Sequence, residues 1–328
     1  MKVLVTGAAG FLGRHICKSL NNAGHTVIGL DVSGPPREVF STRADICNEW
    51  INADITKVLP LMKLDAIVHL AAMAAPNLCA ANPSLAFDVN AQGTSQVLRL
   101  ALESGAKKFV FSSSAHVYDI PPRYFPTDEV HPLRLNNTYT TTKLLGEQLC
   151  QLYFENHSLS FTTLRLFNVY GPGQQLGYLV PDLIAKAKHG RIELQGSDIT
   201  KDWVFVSDVA DAFVKALSSD FVGPINVGTG IETGLGTIAQ IIAGAYEVEL
   251  DCHPAAIPSR MQCDRRRAER ILGWCPTVDL EHGIRNTIDV AVRTMAKMSH
   301  SEVAIHTEDA KASGEVVVFE PLIEGVSR

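Results

Sequence analysis

The feature that most constrains the fold is a glycine-rich turn near the start of the sequence. The apolar, strand-like run "KVLVT" leads into "TGAAGFLG", and an amphipathic helical pattern follows. Glycines at these places allow a tight turn, a close approach of the backbone to a pyrophosphate, and close packing of helix on strand. The free N–H groups at the start of such a helix attract phosphates. We therefore expect Gly7, Gly10 and Gly13 to bind a dinucleotide, although their G-x-x-G-x-x-G spacing differs from the common G-x-G-x-x-G.

Short apolar runs then alternate with helical patterns over the first 170 residues. The strand-like runs are "TVIGLD", "AIVHLAA", "KFVFSSS" and "FTTLRLFNV", which are rich in Val, Ile and Phe. Strands that alternate with helices form a parallel sheet covered by helices on both faces. The sequence therefore predicts an α/β fold with a Rossmann-like, doubly wound parallel sheet.

The pattern becomes a looser mixture of helices and strands in the second half of the chain. We expect residues 1–170, with 203–230 returning to them, to form the dinucleotide-binding Rossmann domain. Residues 171–202 and 231–298 would form a smaller, interleaved α/β lobe that binds the substrate. The polar stretch 299–328 would be a tail that is partly disordered or docks late.

Two acidic residues bear on which dinucleotide is bound. Asp31 ends the second predicted strand, 18 residues after Gly13. A carboxylate there accepts hydrogen bonds from the adenosine ribose and repels a 2′-phosphate, so NAD is favoured over NADP. The alternative is an Asp that only stabilises the turn after a strand. Asp54 is a second candidate, near the adenine, and it could equally cap a helix.

A phenol and an ammonium stand one helical turn apart in "NTYTTTKLLGEQLCQLYFEN". Residues four apart share one face of a helix, so Tyr139 and Lys143 should point the same way. They could be an exposed surface pair or a catalytic acid–base pair. Ser114 lies 25 residues before Tyr139, at the end of a predicted strand. Ligands bind beyond the carboxyl ends of parallel strands, where these three side chains could meet over a nicotinamide.

Composition argues against several other classes of function. The 328 residues are 46% hydrophobic with a formal net charge of −6, which is typical of a globular protein and disfavours a nucleic-acid surface. We expect no signal peptide and no membrane span, since no apolar run is long enough. The seven cysteines include no C-x-x-C pair, so we expect neither a metal site nor a disulfide framework. A reducing cytoplasm is the expected location.

Several further motifs resemble those of one known family. They are "HLAA" at 69–72, "DVNAQGT" at 88–94, "SSSAHVY" at 112–118, "RLFNVYGPGQ" at 165–174 and "INVGTG" at 225–230. With the glycine turn and "YTTTK", the chain resembles the extended short-chain dehydrogenases/reductases over roughly residues 2–295. Within them it is most similar to the NAD-dependent sugar-nucleotide epimerase/dehydratase branch, and is UDP-glucose 4-epimerase-like.

The resemblance implies a role for each motif residue. Tyr139 would be the acid/base, and Lys143 would lower its pKa, which is near ~10 in an unperturbed phenol, and hold the nicotinamide ribose. Ser114 would bind the reacting sugar hydroxyl, and Asn168 would help to hold the substrate diphosphate. The residues expected along NAD are Gly7, Gly10, Phe11, Leu12, Gly13, Asp31, Asp54, Ile55, Leu70, Ala71, Ala72, Asn90, Ser112, Tyr139 and Lys143.

Some positions depart from the family pattern. Ala115 and His116 stand where the 4,6-dehydratases carry an Asp-Glu pair, and the decarboxylases tend to carry Glu in place of His116, so both activities are disfavoured. His116 could be a second acid/base, or only a steric or hydrogen-bonding contact to the sugar. Lys201 stands where the family often uses Arg to grip a nucleotide phosphate, and Lys keeps the charge but loses the bidentate geometry. Arg260 is a further candidate for a phosphate contact.

The resemblance therefore implies an NAD-dependent epimerase of a nucleoside-diphosphate sugar, which oxidises C4 to a 4-keto intermediate and reduces it again. The alternative is a dehydrogenase, reductase or dehydratase of a nucleotide sugar, with net redox chemistry or His116-assisted proton transfer. A non-catalytic dinucleotide sensor is disfavoured because it would not need the Tyr139–Lys143 pair. The family's dimers form through two long helices, predicted here at 83–104 and 138–156, so we expect a homodimer.

Overall fold

A computed structural model describes residues 1–35 and 46–293, so the tail predicted at 299–328 lies outside the described residues. Its strands are, in chain order, β1 Lys2–Thr6, β2 Thr26–Asp31, β3 Glu49–Asn52, β4 Ala66–His69, β5 Lys108–Ser114, β6 Ser160–Leu166, β7 Asn168–Tyr170, β8 Arg191–Gln195, β9 Thr200–Phe205, β10 Gly223–Val227, β11 Glu232–Gly234 and β12 Glu249–His253. Its helices are α1 Phe11–Asn22, α2 Pro76–Ala81, α3 Pro83–Phe87, α4 Gly93–Glu103, α5 Thr138–His157, α6 Leu179–Lys188, α7 Val206–Leu217, α8 Leu235–Tyr246 and α9 Arg266–Leu272, followed by α10 at 280–293.

The main sheet has seven strands in the order β3-β2-β1-β4-β5-β6-β10, and every neighbouring pair is parallel. The order reverses between β1 and β4, and ligands of such sheets bind at this switch point, beyond the carboxyl ends of the strands. The glycine turn follows β1 there, and β5 ends there at Ser114. The predicted doubly wound parallel sheet is confirmed.

Helices cover both faces of the main sheet because successive side chains of a strand point to opposite faces. Val3 and Val5 are buried in one core with apolar side chains of α1 and α7. Leu4 is buried in the other core, with apolar side chains of α4 and α5. The continuous apolar run of β1 is therefore explained by burial on both sides.

A smaller lobe contains two minor sheets. In one, β9 pairs with β7 in parallel and with β11 in antiparallel; in the other, β8 and β12 are parallel. Side chains of α6, α8 and α10 fill a third core, for example Leu183, Ile238 and Ile284. Two elements that lie between β9 and β11 in the chain return to the main sheet. Strand β10 pairs with β6, and helix α7 packs on α1 at one face of the sheet.

Two predicted elements are interrupted in the structure. The helix predicted at 83–104 consists of α3, a π-helical turn over Asp88–Gln92, and α4. The strand-like "FTTLRLFNV" divides at Phe167, so that β6 joins the main sheet and β7 joins a sheet of the lobe. Phe167 is buried, and its N–H donates to the Val227 carbonyl over 3.0 Å, so this residue fixes the place where the chain leaves the main sheet.

None of the helices in residues 1–35 and 46–293 combines the length and the apolar character that a membrane crossing requires. Within the same ranges no three His, Cys, Asp or Glu side chains are grouped to hold a metal ion. Cys252 and Cys275 are exposed, the remaining five cysteines are buried, and none of the seven forms a disulfide in the described part of the chain.

Gly13 provides a test of the packing at the start of α1. A Cβ built on Gly13 would lie 2.1 Å from the Gly7 carbonyl oxygen, so Gly13→Ala forces the helix away from the turn. We expect a loss of about 1–3 kcal/mol in the free energy of unfolding, together with weaker dinucleotide binding. Urea denaturation and a cofactor titration measure the two effects.

Gly244→Ala is the matched control, because Gly244 lies in α8 and a Cβ added there would meet nothing within 4 Å outside its own helix backbone. Alanine is the better helix former, so this variant should gain up to about 1 kcal/mol. Equal stability of the Gly13→Ala variant and the wild type would contradict the packing argument.

Candidate active site

The glycine turn is shaped by close contacts between backbones. Gly7 has a φ of +71°, and its N–H donates to the Leu30 carbonyl over 2.8 Å. A Cβ at Gly7 would lie 2.8 Å from the Ala71 nitrogen, so the turn lies directly against the backbone that follows β4. Gly10 is the N-cap of α1, and Phe11 and Leu12 form its first turn. The free N–H groups of α1 therefore face the carboxyl edge of the sheet.

Asp31 ends β2, and its side chain lies beside the glycine turn. One oxygen of its carboxylate accepts from the Ala9 N–H over 3.0 Å and the other from the Ser33 N–H over 2.9 Å. Each oxygen keeps a further lone pair, and the side chain is partly exposed, so it can also accept from a ribose.

Asp54 stabilises a turn rather than the start of a helix. Its carboxylate accepts from the Thr56 N–H over 2.8 Å, and this hydrogen bond lowers the pKa of Asp54. The next residue, Ile55, is buried and its side chain fills the space beside Gly93. Both residues thus lie close to α4 at the carboxyl edge, with the Asp54 side chain partly exposed.

His69 holds the end of β4 in place. Its ring nitrogens lie 2.6 Å from the Thr6 hydroxyl and 2.9 Å from the Thr94 hydroxyl. The Thr6 hydroxyl also accepts from the N–H groups of Leu70 and Ala71, at 3.2 and 3.3 Å. These contacts fix the "HLAA" backbone against the glycine turn.

Burial lowers the pKa of His69 to about 3, which predicts an acid-sensitive fold. Between pH 6.5 and about 3 the unfolded chain binds a proton on this ring and the folded chain does not. The free energy of unfolding therefore falls as the pH falls, by about 3 kcal/mol at pH 4.5 from this group. Urea denaturation of the wild type and of His69→Asn at pH 7.5 and 4.5 should show the smaller loss in the variant; equal losses would contradict the assignment.

Asn90 lies in the π-helical turn, and both polar groups of its side chain form hydrogen bonds. Its side-chain oxygen accepts from the Met73 N–H over 2.7 Å, and its NH2 group donates to the Met73 carbonyl over 3.1 Å and to the Thr142 hydroxyl over 3.0 Å. Asn90 therefore ties the segment after β4, which includes Ala72, to the first turns of α5. π-helical turns are often found at functional sites.

Helix α5 begins with a capping box and presents the predicted acid–base pair. The Asn137 side chain accepts from the Thr140 N–H over 2.9 Å, which fixes the start of the helix. Tyr139 and Lys143 are only 8% and 5% exposed, so they are not an exposed surface pair. The Lys143 ammonium donates to the Ser112 carbonyl over 2.9 Å.

Ser114 completes this cluster at the end of β5. Its side chain lies close enough to the Tyr139 phenol to lower the pKa of that group, and its oxygen accepts from the His116 N–H over 3.2 Å. Ser114, Tyr139 and Lys143 are thus brought together at the carboxyl edge, next to the glycine turn.

Comparison with known proteins agrees with this geometry. Residues 3–228 match the model of the NAD dependent epimerase/dehydratase family. A UDP-glucose 4-epimerase of Mycolicibacterium smegmatis is 35% identical over 308 residues, which cover 88% of this chain and 98% of the relative. The chain belongs to the NAD-dependent epimerase/dehydratase family.

Other members of the family differ in the reaction that their names describe. UDP-glucuronic acid decarboxylase 1 of Xenopus tropicalis is 30% identical over 88% of this chain and 71% of its own length. Among solved structures, the UDP-glucose 4-epimerase of Thermotoga maritima with UDP-glucose superposes with a TM-score of 0.82 at 27% identity, covering 90% of this chain and all of that one. MoeE5 in complex with UDP-glucose and NAD gives 0.80 at 25% identity, with 90% of this chain covered.

The glycine turn, Asp31 and Lys143 together form a site that fits NAD, on which this family depends. Side chains are excluded at Gly7 and Gly13 by backbone contacts, so the backbone is open to a pyrophosphate at this turn. The Asp31 carboxylate provides an acceptor for a ribose hydroxyl, and the Lys143 ammonium retains donors beyond the one used by Ser112.

Burial is the largest cause of the pKa shifts of Tyr139 and Lys143. It raises the pKa of Tyr139 to about 12, although the neighbouring Ser114 side chain opposes this rise. It lowers the pKa of Lys143 to about 8. The protein's own groups thus shift the Tyr139 pKa upward, opposite to the lowering that the resemblance implied, because desolvation of the phenolate outweighs the effect of Ser114.

His116 lies directly after Ser114, and the Lys201 ammonium lies close enough to act on its ring. Burial, followed by the charge of Lys201, lowers the pKa of His116 to about 4, so the imidazole is neutral at pH 7. Burial also lowers the pKa of Lys201. Among the described residues no carboxylate lies within ion-pair distance of the Lys201 ammonium.

The other two predicted substrate contacts already have protein partners. The Asn168 NH2 group donates to the Asp202 carbonyl over 3.0 Å, so its side-chain oxygen is the atom left for a ligand. Arg260 makes two bonds of 2.7 and 2.6 Å to the Glu232 carboxylate and lies over the Phe125 ring. Arg260 could bind a phosphate only by sharing its guanidinium with Glu232.

Sequence reasoning missed the buried ion pair beneath the cluster. The Glu147 carboxylate accepts from Arg165 over 2.6 and 3.0 Å and from the Ser113 hydroxyl over 2.6 Å. Arg165 also donates to the Tyr118 hydroxyl, which donates to Asn226 over 2.5 Å. The sequence signal that could have located it is Glu147 itself, one turn after Lys143 on the buried face of α5.

Proposed function

We propose that the protein is an NAD-dependent epimerase that inverts C4 of a nucleoside-diphosphate sugar. The observation that supports this most strongly is the convergence of Ser114, Tyr139 and Lys143 beside the glycine turn at the carboxyl edge of the sheet. The 35% identity to a UDP-glucose 4-epimerase over nearly the whole of that relative also favours it.

In the proposed reaction the Tyr139 phenolate accepts the proton of the C4 hydroxyl of the sugar. When bound, NAD accepts the C4 hydride, returns it to the other face, and in its oxidised form carries the positive charge that favours the phenolate. Ser114 orients the C4 oxygen through its hydroxyl, which lies beside the phenol. Tyr139 then returns the proton to the oxygen of the 4-keto sugar after the sugar has turned over.

Lys143 orients the nicotinamide ribose in this proposal. One of its three N–H donors is fixed by the Ser112 carbonyl, so the ammonium cannot swing away from the site. The remaining donors are free for ribose hydroxyls.

Epimerisation is favoured over dehydration and decarboxylation by the residues beside Ser114. Ala115 has no ionisable group, and His116 is neutral at pH 7 because its pKa is about 4. A neutral imidazole supplies no acid of the kind that the Asp-Glu pair of the related dehydratases supplies. It fits a contact to the sugar instead.

The test is incubation of the NAD-loaded protein with UDP-glucose, UDP-N-acetylglucosamine and UDP-glucuronic acid, with NMR of the C4 configuration. Inversion at C4 without net formation of NADH is the expected result. Sustained NADH formation in proportion to product would favour the dehydrogenase alternative. Loss of CO2 or water from the sugar would overturn the proposal in favour of a decarboxylase or dehydratase.

We further propose that the protein forms a homodimer through α3, α4 and α5. Leu145 and Leu152 are 40% and 49% exposed and lie seven residues apart on one face of α5. Leu85 and Phe87 of α3 are 51% and 40% exposed. Sedimentation at micromolar concentration should give twice the chain mass of 35.6 kDa, and a monomer would contradict the proposal.

A further inference from the structure

Two adjacent strands of the main sheet reach one buried carboxylate of α5 near the carboxyl edge. Ser113 of β5 and Arg165 of β6 stand opposite each other in the parallel register. The Ser113 hydroxyl donates to one oxygen of Glu147 over 2.6 Å, and the Arg165 guanidinium donates to both oxygens, over 3.0 and 2.6 Å. All three side chains are buried, so water does not compete for these bonds.

Helix α5 packs directly on β5 beside this carboxylate. A Cβ built on Gly146 would lie 2.4 Å from the Phe111 ring, so the helix backbone rests on the strand there. Because side chains alternate along a strand, Ser113 shares the face of Phe111. Ser113 is therefore the last residue of β5 whose side chain faces α5, and Ser114, which ends the strand, faces the other way.

Two hydrogen bonds join α5 to the residues directly before Ser114. The Lys143 ammonium donates to the Ser112 carbonyl over 2.9 Å. The bond between Ser113 and Glu147 lies one helical turn further along α5. In the proposed function Lys143 also binds the nicotinamide ribose, whereas the second bond involves no ligand group. The second bond therefore holds the end of β5 whether or not the cofactor is bound.

We propose that Ser113 is a positioning residue of the reaction: its hydrogen bond to Glu147 holds the end of β5 against α5, so that Ser114 and Tyr139 meet the same sugar hydroxyl. The proposal rests on the proposed function, since it needs a reaction at that hydroxyl. The Ser113 side chain is buried between strand and helix and has no face toward a ligand. Its loss should therefore slow the reaction and leave the binding of substrate and cofactor unchanged.

The variant Ser113→Ala tests this inference in the NAD-loaded full chain. It removes the donor but leaves Glu147 paired with Arg165, so no buried charge loses its partner. In the NMR assay of C4 configuration kcat should fall about 10–100-fold, because a small displacement of reacting groups has effects of this size. The KM of the nucleotide sugar and the dissociation constant of NAD should stay within about twofold of the wild type.

Ser113→Thr is the conservative variant. It keeps a hydroxyl donor, and threonine is a residue type that strands favour. Its kcat should return to within about threefold of the wild type.

Thr162→Val is the matched control for a purely structural effect. The Thr162 hydroxyl of β6 is buried and donates to the Phe221 carbonyl over 2.8 Å. Thr162 stands opposite Val110, three residues before Arg165 and away from the carboxyl edge. The control should lower the midpoint of thermal unfolding, as Ser113→Ala does, since each loses one buried hydrogen bond. Its kcat should equal that of the wild type.

The outcomes separate the two proposals. If Ser113→Ala is folded and epimerises at the wild-type rate, or if Thr162→Val loses kcat equally, the Ser113 bond only stabilises the fold, and the proposed function is unaffected. A higher KM with unchanged kcat would assign Ser113 to substrate binding and overturn its positioning role. If Ser113→Ala does not fold, Ser113→Thr decides, because a folded threonine variant with kcat about tenfold below the wild type contradicts the proposal. If the wild type inverts none of the nucleotide sugars, the proposed function fails and this inference fails with it.

Discussion

Replacing Tyr139 with Phe is expected to lower kcat for C4 epimerisation by about 10²–10⁴-fold. The variant loses the proton donor and acceptor but keeps the ring that packs with Cys79 and Ala86. The NMR assay of C4 configuration measures the rate. Dissociation constants for NAD and UDP should stay close to those of the wild type, because neither is expected to depend on the phenolic proton.

Tyr246→Phe is the matched control for this substitution. Tyr246 lies in α8, away from the cluster, and its buried hydroxyl has no hydrogen-bond partner in the described part of the chain. The control should retain full activity and lose no stability, since a buried hydroxyl without a partner is unfavourable. Epimerisation by Tyr139→Phe at the wild-type rate would remove Tyr139 from the mechanism.

The sequence predicted those parts of the fold that local patterns encode. The glycine turn, the first two strands and β5 follow from apolar runs and glycine spacing, and each lies where the pattern placed it. Four-residue spacing placed Tyr139 and Lys143 on one face of α5, and the structure shows that this face is buried. Periodicity reveals a face of a helix, but it does not reveal what packs against that face.

The rest of the site depends on contacts between distant segments. The turn at Asn90 is π-helical, and its side chain bonds residues 17 positions before it and 52 positions after it. Arg260 has a carboxylate partner, Glu232, 28 residues away. The direction of the Tyr139 pKa shift also depends on burial by the whole fold. None of these follows from the spacing of residues within one segment.

Replacing Glu147 with Gln is expected to lower the free energy of unfolding by about 3–5 kcal/mol. Gln has nearly the same shape, but it leaves the Arg165 guanidinium buried without a counter-charge. Arg165 is 4% exposed, and its pKa is raised by the carboxylate that it would lose. Urea denaturation near pH 7 measures the change.

An exposed ion pair provides the control. Glu281 and Arg285 of α10 are 59% and 58% exposed and bond at 2.7 Å, nearly as short as the buried pair. Glu281→Gln should change the free energy of unfolding by less than about 1 kcal/mol, because water solvates the arginine that remains. Equal effects at the two sites would show that burial does not determine the strength of the Glu147–Arg165 pair.

The double variant Glu147→Leu/Arg165→Met separates two quantities. One is the net contribution of the ion pair to the free energy of unfolding, and the other is the penalty for leaving one buried charge without its partner. Removing both charges leaves no unpaired ion, so this variant should be more stable than Glu147→Gln although it has lost more polar contacts. Tyr118 keeps its bond to Asn226 in the double variant, whereas Ser113 loses its acceptor. If the double variant is less stable than Glu147→Gln, the pair stabilises the sheet edge below Ser114 by its own attraction. If it is more stable, the pair instead fixes the positions of β6 and α5, and the double variant should then lose epimerase activity while it remains folded.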